Sequence, residues 1–348
     1  MTVELIVLNV GNADSILVLP TETSSLVIDV PAPRQVETWL QSFDRTIIDC
    51  IYITHGHSDH TPPLTTLVRF IENWLKIGVV KRVCLPEELL DPALKHLPDT
   101  PNKQRLKSAL EQLYVWVSGR GSGGIRIEFI PGIRGIGPHQ YGEVTINILH
   151  PSYIFRKLHS YRHPNRLNET SLVLRLDYGD FRALLLADIE GEGLAALLDM
   201  CSGEKAEELR CHIMKVPHHG AWNAYQNVIP SLLDRADPEL AILSVGSTNT
   251  HGHVKPQLFG ELLRRKYDEK KRLRRFICTE VTRTCKLPAM ERRGRDGLNT
   301  RIPCADNIVI AAEHTGSWQQ HRADIHMDRI ASLAYAACMG RADLDAKD

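Results

Sequence analysis

The chain has 348 residues, and its 42 basic and 42 acidic side chains give a formal net charge of zero. This balance excludes an overall electrostatic field that favours nucleic acid or anionic membranes. The length allows one large layered domain or two ordinary ones.

Cysteine usage and hydropathy predict a cytoplasmic protein. The eight cysteines are scattered without a CxxC pair, which is typical of reduced thiols and not of a disulfide framework. The amino-terminal residues have the pattern of a first strand and lack a signal peptide's basic start and cleavage site. No apolar run is long enough for a membrane span, so we expect no membrane association.

The first half of the chain alternates apolar runs with turn residues. Strands are predicted at 3–10, 15–20, 25–29, 46–53, 79–85, 125–130 and 143–149. Helices are predicted at 34–43 and 64–77, the second from apolar residues at helical spacing. Residues 86–120, bounded by prolines and a glycine-rich stretch, are predicted to form a helical insertion.

The second half repeats this plan. Strands are predicted at 172–176, 181–186, 212–216, 240–245, 273–281 and 307–312. Helices are predicted at 193–200, from 205, at 256–272 and from about 320. Strand clusters that alternate with single helices predict two sheets packed face to face with helices outside. We expect one domain over residues 1–318, followed by a C-terminal helix and charged tail at 319–348.

The most informative segment follows the strand at 46–53. It places four metal-competent side chains within six residues, namely His55, His57, Asp59 and His60. Imidazole and carboxylate are the ligands of hydrolytic zinc, manganese or iron sites. Alternation along the strand would project His55 and His57 from one side, leaving the other pair for a second ion. Two cations can share a hydroxide and clamp a scissile ester or phosphate. The alternative is a solvated polar turn.

Further polar residues stand at the ends of apolar strands. They are Asp29, Asp188, His218, His219 and His253. Each residue alone is equally typical of a turn. Together they have the spacing of a metal-binding edge to which successive strands contribute.

On these residues the chain resembles the metallo-β-lactamase-fold hydrolases, which have a four-layer αββα sandwich and a dinuclear site at one edge. Their signature His-x-His-x-Asp-His is matched without substitution at residues 55–60. The family's carboxylate at the end of an early strand corresponds to Asp29. The resemblance implies a divalent-metal hydrolase, with zinc or manganese as the two ions.

The same resemblance implies a set of roles. His55 and His57 would hold one metal, and Asp59 and His60 the other. Asp188 would bridge the ions, and His219 would complete the second site. His218 would contact the substrate or the ligand shell.

A narrower similarity covers roughly residues 3–318 and points to the hydrolase domain of competence DNA-uptake (ComEC-type) channels, without the channel. It rests on Val10 to Ser15, Asn168 to Val173, Lys215 to Gly220 and Ser244 to His253. One departure is that Asn168 occupies the region of the wider family's third-motif histidine. The first metal would then be completed by water.

This narrower resemblance implies phosphodiester hydrolysis by attack of a metal-activated hydroxide. Its catalytic residues would be Asp59, Asp188, His253 and Asn168. The candidate substrate contacts are Lys215, Lys255 and Asn249. We therefore expect a phosphodiesterase or nuclease that acts on nucleic acid or a nucleotide.

Local charge gives modest support for a polyanionic substrate. Residues 264–275 carry eight basic and two acidic side chains, although an exposed salt-bridged helix face would look the same. This stretch lacks interleaved aromatics, so it does not indicate stacking of single strands.

Two other functions stay open. A hydrolase of a small ester or lactone would use the same metals. The second of these functions is that of a non-catalytic metal-binding subunit of a multi-protein complex. Such a subunit would bind its protein partner through residues 86–120 or the C-terminal helix.

Overall fold

A computed structural model describes residues 2–86, 101–119, 125–222, 225–285, 301–333 and 335–339. The strands in this part are β1 (Thr2–Val7), β2 (Ile16–Leu19), β3 (Ser24–Ile28), β4 (Ile47–Tyr52), β5 (Val79–Val80), β6 (Arg82–Leu85), β7 (Glu128–Pro131), β8 (His139–Tyr141), β9 (Val144–His150), β10 (Val173–Tyr178), β11 (Phe181–Leu185), β12 (Ile213–Lys215), β13 (Leu240–Leu243), β14 (Arg275–Cys278), β15 (Ile308–Glu313) and β16 (Trp318–His321). The α-helices are α1 (Pro33–Ser42), α2 (Leu64–Trp74), α3 (Pro101–Ser118), α4 (Tyr153–Arg162), α5 (Gly191–Met200), α6 (Val228–Ala236), α7 (Pro256–Lys266) and α8 (Ala323–Ser332).

The strands form two mixed sheets. The first has the order β16-β15-β1-β2-β3-β4-β6-β7, and β5 also pairs with β4. The second has the order β14-β13-β12-β11-β10-β9-β8. Parallel pairing joins β3, β4, β6 and β7 in the first sheet and β11 to β14 in the second. The carboxyl ends of the parallel strands therefore meet along one edge of each sheet.

Three apolar layers hold the sheets and helices together. Leu5 and Tyr52 of the first sheet meet Ile146, Leu174 and Ile242 of the second in the central layer. Side chains from α1, α2 and α3 cover the outer face of the first sheet, and those from α5, α6 and α7 cover the second. The predicted four-layer αββα sandwich of two mixed sheets is confirmed.

The structure differs from the expected elements in several places. Helix α4 was not predicted, because its apolar residues face solvent and its buried ones are Arg156 and His159. Helix α6 and the short strand β8 were also missed. The helix expected from residue 205 is a short 3-10 turn, Gly203–Glu208, and the helix expected over 256–272 ends at Lys266.

The expected domain boundary after residue 318 falls inside strand β16, which pairs with β15. The described part of the C-terminal segment also packs on the second sheet's outer core through Ala337. Of the expected insertion at 86–120, helix α3 packs Leu113 and Trp116 into the core beneath α2. Residues 87–100, 120–124 and 340–348 lie outside the described residues. No helix in the described part of the chain combines the length and apolar character needed to cross a bilayer.

A buried histidine beside the second sheet gives a pH-dependent contribution to stability. His150 is fully buried, and its Nδ1 donates to the Ser171 carbonyl at 3.0 Å. Burial lowers the pKa of His150 from its ordinary 6.5 to about 4. His150 therefore binds a proton less readily in the folded chain than in the unfolded chain.

We expect the free energy of unfolding to fall as the pH decreases from 6.5 to about 4, because only the unfolded state binds the extra proton there. Within this window His150 contributes a slope of about 1.4 kcal/mol per pH unit. Urea unfolding in EDTA should show a shallower pH dependence for His150→Gln, whereas the exposed His321→Gln control should follow the wild type. Parallel curves for wild type and His150→Gln would contradict this assignment.

Candidate metal centre

The polar residues singled out in the sequence meet where the two sheets present the ends of their parallel strands. The loop after β4 carries His55 to His60. Asp188 follows β11, His218 and His219 follow β12, and His253 lies in the loop after β13. Residues more than 100 positions apart thus share one edge of the sandwich.

The signature residues lie in a turn beyond the strand. Strand β4 ends at Tyr52, and the amides of His60 and Thr61 donate to the His57 carbonyl at 3.1 and 2.8 Å. The rings of His55 and His57 are adjacent, with Nε2 of the first 3.1 Å from Nδ1 of the second. Their proximity was expected, although both residues lie beyond the end of β4 and not on the strand itself.

Asp29 orients this turn from beneath. Its carboxylate is completely buried and accepts the Thr54 amide and hydroxyl, each at 2.8 Å. Nδ1 of His60 lies 2.7 Å from the same carboxylate. His60 therefore carries a proton on Nδ1 and directs Nε2 to Asp188, 3.2 Å away. Asp29 is a positioning residue for His60, a role that carboxylates often take behind metal-binding histidines.

The second sheet aims His219 at the same point. His218 and His219 both have left-handed backbones, with φ of 47° and 50°. Such strain at two consecutive non-glycine residues persists only where surrounding contacts fix it. Nδ1 of His219 donates to the Ser244 carbonyl at 2.8 Å. Its Nε2 then lies 3.4 Å from Asp188 and 3.6 Å from Asp59.

Several polar atoms at this edge are buried without a hydrogen-bond partner among the described residues. They include Nε2 of His60, Nε2 of His219 and Oδ1 of Asp188. Buried polar atoms rarely remain without a hydrogen-bond partner. Several such atoms that point to the same place therefore indicate that a ligand binds there. The donor set of imidazole nitrogens and carboxylate oxygens suits a divalent cation.

The ligand atoms fall into two adjacent groups. Asp59, His60, Asp188 and His219 form one group, and His55, His57 and Asp59 form the other. Within each group the candidate atoms lie within 4.8 Å of one another. Asp59 belongs to both groups. Either group can hold a metal ion.

The carboxylates of the two ligand groups stabilise positive charge on the neighbouring histidines. Burial opposes a charge on His60, but Asp188 and Asp29 outweigh it and raise the pKa of His60 well above its ordinary value. Burial likewise opposes a charge on His219, yet chiefly Asp188 raises its pKa to about 9. Burial and the nearby His60 lower the pKa of His55. The carboxylates thus create a field that attracts cations into a buried site.

Asn168 and His218 are held by a carboxylate that sequence reasoning missed. Glu190 accepts from Nδ2 of Asn168 at 3.1 Å and lies 2.9 Å from Nδ1 of His218. Gly193 permits this arrangement, since a Cβ there would sit 2.0 Å from the Glu169 carbonyl oxygen. Asn168 lines the cleft without belonging to either ligand group.

The loop after β13 closes the site from another side. Asn249 accepts the His253 amide at 2.9 Å and donates to the His253 carbonyl at 3.0 Å. Asn249 therefore positions His253, although it also lines the cleft. Burial, followed by the nearby His218, lowers the pKa of His253 to about 3, so its imidazole is neutral near pH 7.

These residues surround an open cleft of about 570 Å³. Its described lining consists entirely of histidine, aspartate, asparagine, serine and threonine residues. Ligand sites are ordinarily lined mainly by apolar side chains, so this wall is unusually polar. It offers many side-chain groups that can form hydrogen bonds.

The two lysines expected at the substrate occupy other positions. Lys215 is only 1% exposed, and its ammonium pairs with the buried carboxylate of Asp14. This internal ion pair joins the loop between β1 and β2 to strand β12, so Lys215 faces the protein interior and not the cleft. Nζ of Lys255 donates to the His251 carbonyl at 2.7 Å, and Lys255 does not line the cleft.

Acidic partners pair with four of the eight basic side chains at 264–275. The pairs include Arg264 with Glu261, Arg265 with Asp234 and Glu261, Lys271 with Asp234, and Arg272 with Glu239. Arg275 lies over the Trp318 ring. Half of these cations are therefore part of a salt-bridged surface, the alternative that the sequence left open.

Sequence reasoning overlooked the residues that hold the ligands in place. Thr54 preceded the motif, and Glu190 followed Asp188 at the same strand end, but neither was assigned a role. Asp14 belongs to the segment Val10 to Ser15 that carries the narrower resemblance, but it was not assigned a role of its own. A carboxylate two residues from a candidate ligand was the available signal for Glu190.

Comparisons with known proteins give distant structural similarities. Neither a protein-family model nor a curated protein matches the chain. The metallo-beta-lactamase fold protein YhfI from Bacillus subtilis is 10% identical, with a TM-score of 0.43 over 75% of this chain and 93% of its own. A diphosphatase from the PhnP family is 11% identical, with a TM-score of 0.37 over 70% and 87%. The short form of human tRNase Z is 10% identical, with a TM-score of 0.37 over 69% and 92%. Because these TM-scores are below 0.5, we base the function on the cleft's own side chains.

Lys215 should affect stability more than substrate binding. Lys215→Met leaves the Asp14 carboxylate buried without its counter-charge, which should cost about 3–5 kcal/mol in the free energy of unfolding. Asp14→Asn combined with Lys215→Met should restore part of this loss. Lys255→Met is the matched control and should change stability by less than about 0.5 kcal/mol. Urea unfolding measures all three variants. Unchanged stability of Lys215→Met together with a raised KM would instead place Lys215 at the substrate.

Proposed function

We propose that the protein is a divalent-metal-dependent hydrolase of phosphodiesters that uses two ions. The observation that carries this proposal is the pair of adjacent ligand groups that share Asp59. A single structural ion would need only one such group. Paired ions at an open cleft are typical of enzymes that hydrolyse phosphate esters.

The ligand groups suggest an assignment of residues. One ion would be held by His55, His57 and Asp59, and the other by Asp59, His60, Asp188 and His219. The two oxygens of Asp188 lie near different histidines, 3.2 Å from His60 and 3.4 Å from His219. When bound, divalent ions supply Lewis acidity and activate a water molecule as the nucleophile. Zinc and manganese both accept this mixture of nitrogen and oxygen ligands.

The chain's own residues would orient the ligands and receive the substrate. Asp29 and the Ser244 carbonyl fix the tautomers of His60 and His219. Glu190 holds His218 and Asn168 at the cleft wall, where they can meet phosphate oxygens or the leaving group. Neutral His253 has a buried Nδ1 without a hydrogen-bond partner among the described residues, so it can bind a substrate oxygen when protonated there.

The cleft wall favours a phosphodiester over a small ester or lactone. The described lining contains no aliphatic or large aromatic side chain against which an acyl chain would pack. Hydroxyl, amide and imidazole groups instead match the many acceptor oxygens of a phosphodiester. Cleavage of a nucleic acid or nucleotide is therefore the reaction that we propose.

Metal content tests the centre before any substrate is known. We expect elemental analysis of the purified protein to find about two divalent ions per chain. Asp29→Asn should weaken metal binding by about 10- to 100-fold, because His60 loses the carboxylate that orients it. His251→Gln is a matched control, since His251 lines the cleft outside both ligand groups. A metal-free wild type that also takes up no added zinc or manganese would refute the centre.

Activity separates the proposed reaction from its alternatives. We expect hydrolysis of bis-p-nitrophenyl phosphate and of DNA or RNA oligonucleotides, and loss of about a hundredfold or more of kcat/KM in Asp188→Asn. The assay should compare these substrates with p-nitrophenyl acetate and a lactone. Turnover of only the ester or lactone would support the small-substrate hydrolase. Bound metal without turnover of any substrate would support the non-catalytic subunit.

A further inference from the structure

A third cluster of metal-competent side chains lies outside the cleft lining and outside both ligand groups of the metal centre. It consists of His159 on α4, Glu169 in the short 3-10 turn Leu167–Thr170, and Glu192 on α5. One candidate ligand atom from each of these side chains lies within 4.8 Å of the other two. Three separate elements thus bring one imidazole and two carboxylates together.

Two of these side chains are buried and carry an atom without a hydrogen-bond partner. His159 is 4% exposed and Glu169 is 7% exposed. Within the part of the chain that the structure describes, neither Nε2 of His159 nor Oε2 of Glu169 has a hydrogen-bond partner. These two atoms lie 3.4 Å apart, so they point to the same place. As at the metal centre, buried polar atoms in this state indicate that a ligand binds there.

The separation of these two atoms suits two ligands of one ion better than a hydrogen bond. Hydrogen bonds from nitrogen to oxygen usually span about 2.7–3.2 Å. Two ligands of a tetrahedral zinc ion, each bonded at about 2.0–2.2 Å, lie about 3.3–3.6 Å apart. The observed 3.4 Å between His159 and Glu169 falls in the second range.

Glu192 supplies the third ligand from the solvent side. One of its oxygens lies 3.7 Å from Nδ1 of His159, and its side chain is 43% exposed. Because it is only partly enclosed, the Glu192 carboxylate can rotate onto an ion bound at Nε2 of His159 without disturbing the core.

An ion pair between His159 and Glu169 explains this contact less well. Burial is the largest influence on both groups, and it lowers the pKa of His159 and raises the pKa of Glu169. Burial therefore opposes the charges that an ion pair needs, whereas a neutral imidazole is the form that binds a metal ion. The other oxygen of Glu169, Oε1, lies 3.6 Å from the exposed guanidinium of Arg166, which leaves Oε2 for the ion.

The cluster is joined to the segments that form the cleft wall. Glu169 directly follows Asn168, and Glu192 lies two residues after Glu190, whose carboxylate accepts from Asn168 at 3.1 Å. The two segments also pack closely, since a Cβ at Gly193 would lie 2.0 Å from the Glu169 carbonyl oxygen. An ion in this cluster would therefore hold the turn that carries Asn168 against the start of α5.

We propose that His159, Glu169 and Glu192 bind a further divalent ion, zinc, that joins α4 and α5 to the turn carrying Asn168. Three protein ligands leave one position of a tetrahedral zinc ion for water. This third site does not rest on the proposed function. Because one of its ligands is partly exposed, we expect it to bind zinc more weakly than the metal centre and to fill only when zinc is added.

Equilibrium dialysis against zinc, followed by elemental analysis, counts the sites. With added zinc we expect about three ions per wild-type chain, one more than the purified protein holds. Glu192→Gln and His159→Gln should each bind about one ion fewer, because each removes a ligand. Asp199→Asn is the matched control, since it removes an exposed carboxylate from the same helix outside all three clusters.

A ligand exchange distinguishes metal binding from an ion pair. Glu192→His replaces the carboxylate by a nitrogen ligand that zinc also accepts, so the third ion should be retained. If Glu192 only pairs with His159, Glu192→His should instead behave as Glu192→Gln does, and that result would overturn the third site.

Removal of the metal centre separates failure of this site from failure of the proposed function. In Asp59→Ala, which lacks the ligand shared by both groups of the metal centre, zinc should still raise the urea midpoint of unfolding. Adding Glu192→Gln should reduce this shift and the number of bound ions by about one. Such a loss in a protein that hydrolyses no phosphodiester would sustain the third site and refute the hydrolase. Zinc binding that neither Glu192→Gln nor His159→Gln reduces would overturn the third site.

Discussion

The buried line of contacts from Asp29 through His60 to Asp188 crosses from one sheet to the other, and the metal centre depends on it. Asp29 directly follows β3. Its carboxylate accepts hydrogen bonds from the amide and hydroxyl of Thr54 and lies within hydrogen-bond distance of Nδ1 of His60. Nε2 of His60 then faces a carboxylate supplied by the second sheet. Because both partners are buried, displacing either would leave a charged or polar group without compensation. These contacts therefore fix the relative position of the two sheets at the place where the candidate ligands meet.

A second buried contact also fixes the relative position of the two sheets. The amide of Asp14 donates to the Asp59 carbonyl at 3.2 Å, and its carboxylate pairs with Lys215 of the second sheet. Asp14 thus contacts the signature turn through its backbone and β12 through its side chain. Contacts of this kind position the loops that carry the candidate ligands. They explain how strained residues such as His218 and His219 can be kept in one conformation.

The arrangement also divides the cleft into parts with different tasks. The ligand groups lie at its base, where burial and opposite charges favour a cation. Asn168, His218 and His253 form a polar wall.

The sequence by itself predicted the αββα architecture and the candidate ligand residues, because hydrophobic periodicity and the spacing of histidines and carboxylates are local signals. The sequence did not show which lysine and arginine side chains can contact a substrate. Lys215 resembled a phosphate contact, but it pairs with Asp14, which is 201 positions away in the chain. The 264–275 stretch resembled a polyanion surface, but acidic partners pair with four of its eight cations. Nor did it reveal α4, whose apolar residues point outward and so break the usual amphipathic pattern. Only the tertiary structure decided these points, since burial and ion pairing depend on residues that are remote in the chain and adjacent in space.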